Sequence, residues 1–295
     1  MAGFTKLSLT LLALVAFAGN SVLCRWALAE YQMDPARFTL LRLVSGAMVL
    51  ALLVFFTRRK QIAVQQLRPE TQASLSWWGA LWLVTYALAF AYAYVGIATG
   101  VGALVLFTAV QFSMLAISAW RGERYSVVEI LGVACALSGF VYLVWPQLAA
   151  PVSVVSLLAM VLAGAAWGAY STLGRGSPTP LLDTRIHFYR AVLLASPVLF
   201  IIEWQQQWSL PAVVLALTSG ALTSAVGYAI WFKVLPHLRV TTAAVGQLSV
   251  PIIAALGGIL FVNEPIESRF VIASAVILLS IFVVIKSRSN KRQTK

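Results

Sequence analysis

The chain has 295 residues, of which 61% are hydrophobic and 10% charged; its net charge is +12, its pI near 10.2 and its mean hydropathy +0.89. A soluble globule cannot hide that much apolar surface. In such a chain the basic excess orients the protein in a bilayer and does not mark a nucleic-acid binder.

Apolar stretches of about 20 residues, each ~30 Å long as a helix, recur from end to end and leave no room for a soluble domain. The alternating ~10-residue segments of a transmembrane β-barrel are missing. Ten helical spans are predicted, at about 6–24, 35–56, 75–95, 99–119, 126–145, 152–173, 185–204, 210–233, 241–261 and 267–285. The fold class is therefore all-α integral membrane. Lys6, an apolar run and "AFA" (16–18) imitate a secretory signal. Removing that span would leave nine and break the symmetry below, so it is read as a retained helix.

The first span carries a polar knot, "AGNS" (18–21), with Asn20 and Ser21. The second opens on "RFTLLR" (37–42). An arginine inside a span costs ~2.5–3.5 kcal/mol at a helix centre. Arg42 lies ~10 Å along its helix, from where a long side chain could snorkel to the outer interface. Two readings stand: an anchor or latch between helices, and a clamp for a substrate carboxylate. Both Arg42 and Arg190 are expected off the midplane, which favours the latch. Arg37 and Arg185 are expected at the interfaces.

In the third span Trp78, Trp82, Tyr86, Phe90 and Tyr94 are spaced by four and share one face. The end members suit an interfacial belt; Tyr86 and Phe90 suit a cavity wall. Gln111 interrupts the fourth span. The sixth holds Trp167, Tyr170 and Ser171 beside a Gly164/Gly168 pair, whose spacing favours close helix approach. Span seven opens on "RIHFYR" (185–190), and Tyr228 and Trp231 lie in the eighth. In the ninth, Pro251 is expected mid-helix, where it would free the Gln247 carbonyl beside Ser249.

The two arginine stretches lie 148 residues apart, each preceded by an aspartate, Asp34 and Asp183. Each half ends with a glutamate before its last span, Glu123 in "RGER" and Glu264 in "VNEP". Five spans is an odd number, so the second half enters the membrane inverted. Inverted repeats of this kind place a substrate site near the midplane. With both termini inside, sixteen of the 21 Lys and Arg residues fall on the cytoplasmic side and three, Arg25, Arg37 and Arg269, on the other.

Pro35-x-Arg37-x4-Arg42, "WGAYS" in span six, "RGERYSVVEILGVACALSGFVYLV" (121–144) and "LSVPIIAALGGILFVNEP" (248–265) resemble the drug/metabolite transporter superfamily, in its EamA-domain branch. The wording looks most like the YddG-type aromatic amino acid exporters. The resemblance implies two inverted repeats, 1–147 and 148–286, with a basic cytoplasmic tail, 287–295. It implies alternating access across a bacterial inner membrane, both termini cytoplasmic, and export of amino acids. One departure is plain. The first repeat usually has a proline in its fourth helix; here "FTAVQFSM" (107–114) puts Gln111 there, so a proline hinge carries over to the second half only.

The expected substrate contacts are Asn20, Tyr86, Phe90, Gln111, Trp167, Tyr170, Ser171, Tyr228, Gln247 and Ser249. Gating or hinge roles fall to Pro251, Arg42, Arg190, Gly164 and Gly168. An aromatic cavity with few fixed charges suits bulky neutral or zwitterionic solutes. No carboxylate lies at mid-span in the sequence, which favours facilitated efflux over proton coupling. No phosphate loop, metal-ligand cluster or hydrolase motif is present, and Cys24 and Cys135 read as packing residues. No cofactor, nucleic acid or second subunit is implied; the partners are a small-molecule substrate and the lipid bilayer. The alternatives are a multidrug or nucleotide-sugar carrier of the same fold, a pore, and an intramembrane lipid-modifying enzyme.

Overall fold

The computed structural model describes residues 3–65, 77–120, 122, 126–145, 151–174, 177, 179–202, 204, 207–238, 246–247 and 249–293. Glu123, with most of the "RGER" loop, lies outside them. Among the described residues there are ten main helices, two short 3-10 turns (Ser196–Phe200 and Leu235–His237) and no strand. They are α1 (Gly3–Ala29), α2 (Pro35–Gln65), α3 (Trp77–Gly96), α4 (Thr99–Trp120), α5 (Val127–Val144), α6 (Pro151–Gly174), α7 (Pro180–Ala195), α8 (Leu210–Val234), α9 (Val250–Val262) and α10 (Ser268–Gln293). Six of them, α1, α2, α3, α4, α6 and α8, are long and apolar enough to cross a membrane; α5, α9 and α10 give shorter apolar stretches.

Bilayer-length helices satisfy their own backbone hydrogen bonds, so the sequence can leave apolar side chains outside. In α6, Val155, Leu158 and Leu162 are exposed while Leu157, Met160, Ala163 and Trp167 are buried. One face meets lipid and the other meets protein.

The main packing pairs are α3 with α6 and α1 with α8, α4 with α6 and α9 with α1, α2 with α8 and α7 with α3. Three further pairs, α2 with α7, α4 with α9 and α5 with α10, complete the set. Exchanging every helix for the one five places along turns this set into itself. That is the packing signature of two inverted five-helix halves.

Local chemistry repeats as well. The Asp34 carboxylate accepts from the Arg37 backbone N–H (2.7 Å), capping α2. Asp183, in the first turn of α7, accepts from Thr179 Oγ1 (3.2 Å) and from the Ser177 hydroxyl. Glu129 forms a reciprocal capping box with Ser126 at the start of α5.

Glycines set the closest crossings. A Cβ at Gly164 would lie 2.5 Å from Ala109 Cβ and 2.6 Å from the Leu106 carbonyl oxygen. One at Gly168 would overlap Ser113. The pair thus seats α6 directly on α4.

At one end of the bundle, Glu264 joins four helices. Its Oε1 accepts from Arg25 Nε (3.0 Å) and its Oε2 from the Thr99 backbone N–H (2.7 Å), at the N-terminus of α4. Arg25 Nη1 donates to the carbonyls of Tyr94 (2.8 Å) and Val95 (3.0 Å) at the end of α3. The carboxylate therefore neutralises an arginine and caps a helix dipole at once. Asn263, left-handed at φ 53°, turns the chain out of α9 to place it.

Candidate transport site

Where α1, α3, α4, α6 and α8 converge, a cavity is lined by Phe17, Asn20, Tyr86, Phe90, Leu106, Phe107, Trp167 and Tyr228. Its walls come from both halves. Trp167 is the hub: its ring centroid lies 4.9 Å from Tyr86, 4.8 Å from Tyr228 and 6.1 Å from Phe17. The free space is about 20 Å³, enough for about one water molecule. An amino acid fits only if the helices part.

One edge of the cavity is polar. Asn20 Nδ2 donates to Tyr86 Oη (3.1 Å), while its Oδ1 accepts from Ser219 Oγ (2.7 Å) and Thr223 Oγ1 (3.3 Å). Ser219 and Thr223 lie in a π-helical stretch, Ser219–Val226, between the two α-helical parts of α8. Such wide turns are frequent at functional sites because they re-aim side chains. Here the stretch aims Ser219 and Thr223 at Asn20 and Ser224 at Arg42.

Arg42 does not reach an interface. It is 2% exposed. Its Nε donates to Ser224 Oγ (3.0 Å) and its Nη2 to Tyr86 Oη (3.1 Å) and Tyr228 Oη (3.3 Å). The guanidinium also lies 5.0 Å from the Tyr86 ring centroid and 5.2 Å from that of Phe90, a cation–π arrangement. The expected snorkelling position is thus corrected. Tyr86 is midway along α3, and the long side chain of Arg42 turns inward to it. Its repeat partner Arg190 is half-buried and lies 4.9 Å from the Trp77 ring. Arg37, expected at the interface, is 3% exposed, with its guanidinium 4.7 Å from the Trp208 ring.

Of the expected contacts, the structure brings Asn20, Tyr86, Phe90, Trp167 and Tyr228 to the cavity. Tyr170 packs behind Trp167 at 5.6 Å. Gln111 is buried one turn beyond Phe107 and does not line the space. Ser171, Gln247 and Ser249 are half-buried and outside the lining. Sequence reasoning missed Phe17, Leu106 and Phe107. Phe17 had a legible signal, because it stands three residues before Asn20 and so shares its face.

Pro251 is also corrected. The sequence predicts the ninth helix over 241–261, but α9 starts at Val250 after a turn at Ser249, so Pro251 stands in its first turn. Residues 239–245 and 248 lie outside the described residues. A first-turn proline gives up an N–H that had no helical partner. Pro251→Ala is therefore expected to shift stability by no more than about 1 kcal/mol and to leave transport within twofold of wild type. Thermal unfolding and efflux of the purified variant check this.

Two inverted five-helix halves around a buried polar and aromatic centre define a multi-pass membrane transporter. The model of the EamA-like transporter family matches residues 5–145 and again 154–286. The chain belongs to that family. An uncharacterised protein of Pseudomonas aeruginosa is 43% identical over 285 residues, covering 97% of this chain and 96% of that one. The uncharacterised transporter YoaV of Bacillus subtilis is 22% identical over 263 residues, covering 86% and 88%. An uncharacterised transporter of Archaeoglobus fulgidus is 24% identical over 198 residues, covering 65% and 70%. A crystal structure of a protein at 18% identity superposes with a TM-score of 0.65 over 95% of this chain and 97% of that one, which is a likeness of fold.

Proposed function

We propose that this protein exports aromatic and other neutral amino acids across a bacterial inner membrane by alternating access, with both termini in the cytoplasm. The observation that carries the reading is the central cavity. Six of its eight lining residues are aromatic, and both halves contribute to the wall. Aromatic walls with a polar edge suit a large apolar side chain attached to a zwitterion. The orientation rests on the sixteen-to-three distribution of Lys and Arg, and the direction on the resemblance to exporters.

On that orientation the Arg25–Glu264–Thr99 cluster faces outward. It holds the outer ends of α1, α3, α4 and α9 together around a cavity too small for substrate. The cycle would open and close this end in alternation with the other. Asn20, Tyr86 and Tyr228 would meet the polar end of the substrate, and Trp167, Phe90 and Phe17 its ring. Arg42 ties α2 to α3 and α8, so it would act as a latch between the halves.

The intramembrane-enzyme alternative needs reactive groups at the centre. Of the described carboxylates, Asp34, Glu129, Asp183 and Glu264 are engaged at helix ends, and Glu30 and Glu267 are exposed beside helix ends. Proteoliposomes loaded with labelled phenylalanine or tryptophan test the proposal. Release above the empty-vesicle leak that saturates with substrate supports it. Release at the leak rate removes the substrate claim, and release that never saturates points to a pore.

A further inference from the structure

Arg42 is a permanent cation buried to 2% exposure, and its partners Ser224, Tyr86 and Tyr228 are all neutral. A buried charge is normally paired or compensated. Among the described residues no carboxylate lies within ion-pair distance of it. Its Nη1 is buried and has no hydrogen-bond acceptor.

Counting hydrogen bonds extends the point. A hydroxyl or amide oxygen accepts two bonds. Tyr86 Oη accepts from Asn20 and Arg42, which fills it. Tyr228 Oη accepts from the same Arg42 Nη2. Asn20 Oδ1 accepts from Ser219 Oγ, while the Thr223 hydroxyl, with its single proton, lies closer to the Ser219 carbonyl (2.8 Å) than to Asn20 (3.3 Å). The donor left over is Arg42 Nη1–H₂. Arg42 thus lacks an acceptor for Nη1 and a counter-charge. A water could accept from Nη1 but would bring no charge. A carboxylate supplies acceptors, charge and no donor.

We propose that Arg42, Tyr228, Tyr86 and Asn20 form the carboxylate subsite of the transported molecule, so that the solute must carry an acid group beside its aromatic or bulky apolar part. The inference rests on the reading of this cavity as the substrate's path. Three of the four residues line that cavity, and Arg42 lies behind the rings of Tyr86 and Phe90. When the helices part, the acid group takes Nη1 and the Tyr228 hydroxyl, and the ring lies against Trp167 and Phe17. The bonds that hold α2 to α8 are then shared with the substrate, which couples occupancy to release of the latch.

The test is ligand-induced thermal stabilisation of the purified full-length protein, with a pair differing only in the polar end, 3-phenylpropionate and 3-phenylpropylamine, and sodium chloride as a third arm. The acid is expected to bind at least about tenfold more tightly than the amine, the worth of a charge-assisted contact. Arg42→Gln should bring that ratio below about twofold, and Tyr228→Phe should lower it by a smaller factor, about threefold. If Arg42→Gln does not fold, the wild-type ratio and Tyr228→Phe decide. An equal response to the amine, no response to the acid, chloride matching the acid at equal concentration, or an unchanged preference in the variants overturns the subsite. Acid-selective binding without amino acid efflux would refute only the exporter reading. Efflux without acid preference would refute only the subsite.

Discussion

Gly220→Ala is expected to abolish most transport and to lower stability by about 2–3 kcal/mol, the cost of an overpacked contact that only backbone movement relieves. Gly220 sits in the π-helical stretch of α8, where a Cβ would overlap the Arg42 carbonyl oxygen and the Ser45 hydroxyl of α2. The obstacle is α2 backbone, which cannot swing aside as a flexible side chain would. Separating α2 from α8 pulls Ser224 and Tyr228 away from the Arg42 guanidinium, and the buried cation loses two of its three hydrogen-bond partners. Gly19→Ala, one residue from Asn20, is the control. Its Cβ would meet Thr223 Cγ2 at 3.4 Å, an ordinary contact, and should be close to neutral. Thermal unfolding and efflux of the two variants check both expectations. If they behave alike, close approach at Gly220 does not set the site.

Glu264→Gln is expected to loosen the outer end of the bundle. Glutamine keeps the shape but has one acceptor oxygen, while Arg25 Nε and the Thr99 N–H each need one. Its NH₂ faces one of those donors, so a hydrogen bond to a charged group, worth ~1.5–3 kcal/mol, is lost on at least one side. Arg25 and Glu264 have side-chain exposures of 20% and 13%, so solvent screening reduces the Coulombic part of the loss. Cys24 reports the result. It is 0% exposed, directly before Arg25. In a Cys135→Ala background, a membrane-impermeant maleimide should label Cys24 at least about tenfold faster in the variant, since ~1.4 kcal/mol of opening free energy corresponds to that factor. Unchanged labelling would mean that the ion pair does not hold this end shut.

The spans were legible because hydropathy over about 20 residues answers a single question, whether a helix can cross the bilayer. Tyr86 and Phe90 were legible because spacing by four fixes a helix face. Arg42 was misplaced for a physical reason. Sequence gives the depth of its Cα, but the direction of its side chain depends on Tyr86, Ser224 and Tyr228, 44 to 186 residues away. The Arg25–Glu264 pair spans 239 residues and joins the two halves; no local pattern announces it. "SGALTSAV" (219–226) shows three hydroxyl residues in an apolar helix, but not the π-helical winding that points them at two different neighbours. Pro251 reads the same in the middle of a helix as in its first turn. Only the break at Ser249 distinguishes the two.

In the proposed cycle the aromatic cavity between the halves opens to one side at a time and carries amino acids across. Counterflow measures it most directly. Proteoliposomes preloaded with unlabelled phenylalanine are diluted into a trace of labelled phenylalanine, and the label inside is followed with time. An alternating-access carrier predicts transient accumulation of label above its equilibrium level. Label that rises to equilibrium without overshoot, at a rate indifferent to the internal phenylalanine, would contradict the account.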